Sequence, residues 1–144
     1  MSSKSNIMNV KNIAMWVLRI VSAYILLQTL RFKFGAEPES VYIFTRVGME
    51  PWGRIGSGIV ELIASILILY PRTTAWGAGM AIGTMSGAIF FHLTKLGIDV
   101  MGDHGQLFYM AIAVWVSCAI LLFVYRNQVL RLLPENVAGK LRTR

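Results

Sequence analysis

The sequence predicts an all-α membrane protein: a four-helix transmembrane bundle with a short interfacial helix between spans one and two. Three observations predict it. The hydrophobic fraction of 56% and mean hydropathy of +0.59 are too high for a soluble domain of 144 residues. Apolar stretches at 13–30, 55–70, 75–94 and 107–125 each approach the length of one bilayer crossing. Finally, Pro38, Pro51, Pro71 and Pro134 all lie between or after these stretches, where helix breakers belong. The chain divides into an N-terminal segment (1–12), one membrane domain (13–125) and a basic tail (126–144).

The net charge of +7 is the first number that bears on partners. If four helices alternate across a membrane, Lys4, Lys11, Arg72, Arg126, Arg131, Lys140, Arg142 and Arg144 fall on one side, opposed only by Glu135. On the other side Arg31, Lys33, Arg46, Arg54 and Lys95 are cancelled by Glu37, Glu39, Glu50, Asp99 and Asp103. The excess is thus a positive-inside bias rather than a nucleic-acid footprint. It places both termini in the cytoplasm of a cell inner membrane. Lone Cys118 lies within the fourth stretch and reads as a packing residue, and no CxxC motif exists.

Residues 1–12 are polar and are expected to be disordered. The first apolar run is too long for a signal-peptide core, contains Arg19 and lacks a small-x-small cleavage site, so it is read as a retained span. Within it Arg19, Ser22, Leu26, Thr29 and Lys33 follow the spacing of one helical face. Arg19 lies deep, about 18 Å from the outer surface, and Glu61 of the second span about 12 Å. Such an arginine either caps a neighbour's carbonyls, reaches inner headgroups, or pairs with Glu61. The buried ion pair Arg19–Glu61 is the expectation, because each is the strongly charged residue deep in its span and the signs are opposite.

Between the first two spans, Pro38 near a helix start, Glu39 in the first turn and Gly48 as a stop mark the interfacial helix. The second span carries a polar stripe of Arg54, Ser57, Glu61 and Ser65. The third repeats small residues at Ala75, Gly79, Gly83 and Gly87, a surface for close helix packing either within the chain or against a second copy. His92 lies near the outer end of that span, and ionisable residues in spans are functional candidates by default. His104 falls in the following loop and reads as solvated. The two histidines do not make a haem site, and the residues suggest no metal site. The tail beyond 126 reads as an anchor on anionic headgroups.

The run LLQTLRFKFGAEPESVYIFTRVGMEPWGRIGSGIVELIASILIL, followed by GAIFFHLTKLGI, resembles the DoxX-like family of small bacterial membrane proteins over roughly residues 15–125. The marks that carry the resemblance are Arg19, the Lys33–Phe34 pair, Glu61, and His92 with Lys95. It implies four membrane helices with a short helix between the first two. It also implies association with quinone-linked or thiol and oxidative-stress redox chemistry.

Two functions from different classes follow. In the first, Gln28, Lys33, Arg54, His92 and Gln106 form an outer-leaflet polar cluster that holds a quinone, with His92 exchanging a proton. No flavin, iron–sulfur or haem motif is present, so electrons come from a partner redox subunit. In the second, the chain is a non-catalytic scaffold, assembly factor or chaperone, and the glycine face contacts a second copy or a partner membrane protein. A proton path or transporter through Arg19 and Glu61 is the weakest reading, because no inverted repeat is visible.

Overall fold

The computed structural model describes residues 2–142, and helices without any strand account for their regular structure. The helices are α1 (Ser2–Phe34), α2 (Pro38–Arg46), α3 (Trp52–Leu69), α4 (Thr74–Phe91), α5 (Gln106–Val124), α6 (Asn127–Leu130) and α7 (Glu135–Arg142). A π-helical turn, His92–Leu96, extends α4. Helices α1, α3 and α5 are long and apolar enough to cross a membrane. Helix α4 matches α3 in length but is not among them, its composition being diluted by glycine, serine and threonine.

The four long helices close on one another: α1 and α4 each pack against both α3 and α5. The inward face of α1 carries Arg19, Ser22, Ala23 and Leu26, all nearly inaccessible. This is the face that the spacing from Arg19 to Lys33 picks out. On α3 the inward face carries Gly58, Glu61, Ala64, Ser65 and Ile68. On α5 it carries Ala111, Val114, Cys118 and Leu121, with Cys118 a fully buried packing residue.

One expectation fails here. Residues 1–12 are not disordered where described: α1 is one helix from Ser2. The stretch contains neither proline nor glycine, and extending an existing helix avoids a new nucleation cost. At 33 residues α1 is about 50 Å long against about 27 Å for α3. Its first third therefore projects beyond the other helices, and residues 3–14 are all exposed.

The glycine face of α4, expected to pack either within the chain or against a second copy, does not pack within it. A Cβ added at Gly79, Gly83 or Gly87 meets nothing within 4 Å, so these glycines do not pack within the chain. The close approach is made instead by Gly77, where a Cβ would stand 2.6 Å from the Ala64 carbonyl oxygen and 2.6 Å from the Ile68 nitrogen. The buried side of α4 runs through Ala78, Ala81 and Met85, which at 100° per residue lies roughly opposite Gly83. Every α4 face is rich in small residues, so composition did not mark which one turns inward.

Helix α2 lies across the end where α1 finishes and α3 and α5 begin, touching α1, α3 and the π-helical turn. It stops at Gly48 (φ +77°), with Gly48 N–H bonded to Thr45 O and Met49 N–H to Phe44 O, a Schellman closure.

Candidate functional site

Beneath α2 the helices enclose a cavity of about 290 Å3. That is at the small end of ligand pockets. Its roof is the inner side of α2, through Glu39, Ser40, Ile43 and Phe44. Its walls are apolar where Leu26, Met85, Ala88, Met110 and Ala111 converge, and polar at the ends of the helices.

The strongest polar feature is the Lys33–Glu61 ion pair, with Glu61 only 2% exposed. Thr29 Oγ1 lies 3.0 Å from the other carboxylate oxygen of Glu61 and 2.8 Å from the Leu26 carbonyl. A hydroxyl has one proton to give, so Thr29 serves one of these acceptors at a time. Thr29 and Lys33 stand one helical turn apart on α1, and both reach the single carboxylate of α3.

Arg54 sits behind this pair. Its guanidinium donates to Glu50 Oε1 and Oε2 at 2.9 Å and to the backbone carbonyl of Lys33. Two cations, Arg54 and Lys33, therefore lie between two anions, Glu50 and Glu61, and the four formal charges cancel.

The opposite wall belongs to the π-helical turn and the loop before α5. His92 is 5% exposed, and its Nδ1 lies 2.8 Å from the Gly97 carbonyl oxygen. A carbonyl only accepts, so Nδ1 carries a proton and Nε2 is the ring nitrogen left for other partners. The ring packs edge-on against Phe108, with centroids 5.7 Å apart. Asp103 accepts from the backbone N–H groups of Val100 and Gly105 at 2.9 Å and of Leu107 at 3.0 Å, closing the start of α5. Burial pushes the Asp103 carboxyl up. These N–H groups and nearby His92 outweigh that push, so it lies below the usual carboxylate range. Glu39 is pushed the other way, first by burial and then by the charge of Asp103.

Gln28 Nε2 donates to the Met110 sulfur at 3.1 Å. A thioether is a weak acceptor, so an oxygen offered by a bound molecule would compete well for this N–H. Gln106 completes the polar lining and is exposed at its outer edge.

Of the residues expected to cluster, Gln28, Lys33, His92 and Gln106 line this cavity. Arg54 does not, because Glu50 and the end of α1 take up its donors. His104 lies in the exposed loop and is not part of the lining. Thr29, Ser40, Glu39 and Asp103 belong to the site and were missed; only an acid at the start of a helix following Gly-rich loop sequence could have flagged Asp103.

The expected Arg19–Glu61 pair is not formed. Arg19 Nε donates to Ile68 O at 2.9 Å and Nη2 to Leu69 O at 2.7 Å, while Trp16 stacks on the guanidinium at 3.7 Å. The reason is axial distance. Arg19 is level with the end of α3, two helical turns from Glu61, and the free carbonyls there are nearer acceptors. Lys33 sits on the same face of α1 but at the level of Glu61. Among the described residues no group of His, Cys, Asp and Glu has the arrangement of a metal site.

Comparison with family models, with curated proteins and with solved structures gives no match.

Proposed function

We propose that the chain is a cell inner-membrane protein whose four long helices all cross the bilayer, and that the cavity under α2 binds a small ring compound of the quinone class. The observation that carries this reading is the cavity itself: apolar walls leading to a polar head that combines donors with a proton-accepting imidazole. Lys33 retains two N–H donors beyond the one given to Glu61, and Gln28 and Gln106 add amide donors. A ring with two carbonyl oxygens matches that donor set, and a volume of about 290 Å3 admits a ring with the start of a tail. The chain's own part is to orient the ring, exclude water and hold a proton at His92 Nε2.

Helix α4 is included among the crossings because no Asp, Glu, Lys or Arg occurs in it and it is flanked by α3 and α5. With α2 then at the outer interface and both termini in the cytoplasm, reporters fused at Lys140 and Ala36 are expected on opposite sides of the membrane. In this reading the chain serves quinone-linked or thiol redox chemistry as a subunit, as the DoxX-like resemblance implies, and a partner supplies the electrons. Function rests on the site rather than on the fold. The test is an organic extract of protein purified in mild detergent: a quinone in stoichiometric amount supports the reading, and an extract holding only bulk lipid counts against it.

A second reading, a scaffold or assembly factor, is favoured by one observation: the open stripe Gly79, Gly83, Gly87 on α4. It expects a specific membrane protein that co-purifies with the wild type and is lost from Gly83→Leu.

A further inference from the structure

At the end of the molecule away from the cavity, the turn between α3 and α4 meets α6 in a groove. Arg72, Thr73 and Trp76 form one wall, and Tyr125, Asn127 and Arg131 the other. The groove is built rather than incidental. Gln128 accepts from the Ala75 N–H at 2.9 Å and donates to the Pro71 carbonyl at 2.7 Å, which ties α6 to the turn. The turn is fixed from behind by Thr73, bonded to Leu67 O at 2.9 Å, and by Thr74, bonded to Ile68 O at 3.2 Å.

Among the described residues no ion pair involves either of the two guanidiniums that border this groove. The ion pairs seen among the described residues, Lys33–Glu61 and Glu50–Arg54, are both at the other end, and neither the Arg72 nor the Arg131 side chain has a hydrogen-bonded partner among those residues. Arg126, by contrast, is turned away, bonded to Phe123 O at 3.0 Å and stacked over its ring. Two unpaired arginines on tied walls are suited to a phosphate, whose oxygens accept paired N–H donors. The apolar surroundings indicate its source. Beside the arginines, Trp76 at the start of α4 is 42% exposed and Leu132 just after α6 is 74% exposed. An exposed indole at that level belongs at a membrane–water boundary.

We infer that this groove holds the phosphate of one anionic phospholipid at the inner surface, its acyl chains lying along Trp76 and α4. The inference rests on the reading that the helices cross the membrane, and it is independent of the cavity. It is more specific than a basic tail lying on charged lipid, because it assigns the contact to Arg72 and Arg131 and not to Lys4, Lys11 or Arg126.

The experiment places the full chain in nanodiscs of phosphatidylcholine and phosphatidylglycerol in equal amounts and counts retained lipids by native mass spectrometry. Wild type is expected to keep phosphatidylglycerol preferentially. Arg72→Gln with Arg131→Gln should reduce that preference by roughly tenfold or more, while Lys4→Gln with Lys11→Gln should leave it. Arg72→Lys with Arg131→Lys keeps the charge and should keep part of the preference, which separates a lost site from a lost fold. An undiminished preference in the double glutamine variant, or an equal loss in the Lys4 and Lys11 variant, overturns the inference. So does complete displacement of the lipid by millimolar inorganic phosphate, which would make this a site for a soluble anion. Failure of wild type to enter the bilayer would overturn the membrane reading itself, an outcome distinct from insertion without lipid preference.

Discussion

Arg19 and Arg54 cap each other's helices. Arg19 of α1 donates to the carbonyls of Ile68 and Leu69 at the end of α3, and Arg54 of α3 donates to the carbonyl of Lys33 at the end of α1. Each cation sits at the negative end of its antiparallel neighbour, where the last carbonyls lack intrahelical donors. In a bilayer such carbonyls have little water to turn to.

Arg19→Leu is therefore expected to lower stability in detergent by about 2–4 kcal/mol, since charge-assisted bonds to two backbone carbonyls are lost together. Arg19→Lys should recover only part, because an ammonium cannot span both carbonyls with the planar fork of a guanidinium. Combined with Glu61→Leu the losses should add. Coupling between the two above about 0.5 kcal/mol would mean that the positions communicate despite their separate partners.

Lys33 and Glu61 should behave in the opposite way. Removing either strands a charge at a site where Glu61 is 2% exposed, at a cost of roughly 3–5 kcal/mol. Lys33→Met with Glu61→Leu should cost far less than the two single losses combined. Denaturation of the four proteins in one detergent closes the cycle, and additive losses would remove the pair from the account.

These two cycles show where the sequence was legible. The helical spacing of Arg19, Ser22, Leu26, Thr29 and Lys33 marked the inward face of α1, because periodicity reports direction around an axis. Partners depend on height along the axis, which puts Lys33 and not Arg19 level with Glu61. Its place near the helix end puts Lys33 in the outer polar cluster and does not by itself mark it as the partner of Glu61. The roof that buries it comes from α2, whose position over the cavity no local pattern encodes. Gln28, Lys33, His92 and Gln106 were recognisable because each is polar near the same end of an apolar run. Glu39 and Asp103 were not, since acids in loops and short helices are ordinarily solvated.

The glycines of α4 give a contrast that composition alone would misjudge. Gly77→Ala should destabilise by about 1–3 kcal/mol, because the added methyl meets backbone of α3 at 2.6 Å. Gly83→Ala meets open space and should leave the melting temperature of the isolated chain unchanged. Equal effects at the two positions would contradict the packing of α4 on α3.

Glu39 supplies a pH dependence of definite sign. Its carboxyl is raised by burial and by Asp103, so the folded protein holds this proton to higher pH than the unfolded chain does. Stability from this group is fully present below its unfolded value, near 4.3, and is lost as pH rises through the folded value. Glu39→Gln should thus melt above wild type at neutral pH, and the difference should vanish on acidification. Solvent around the roof keeps the effect small. A gain that does not change between pH 4 and pH 7 would show that charge is not its cause.

Ligand-dependent melting tests directly whether the space under α2 receives the proposed quinone-type ring. A short-tailed benzoquinone titrated into detergent-purified protein should raise the melting temperature of wild type saturably. Ala88→Phe, which fills the cavity from α4 and removes no polar group, should melt close to wild type but lose the shift. No shift in wild type, or an equal shift in both proteins, would contradict the claim.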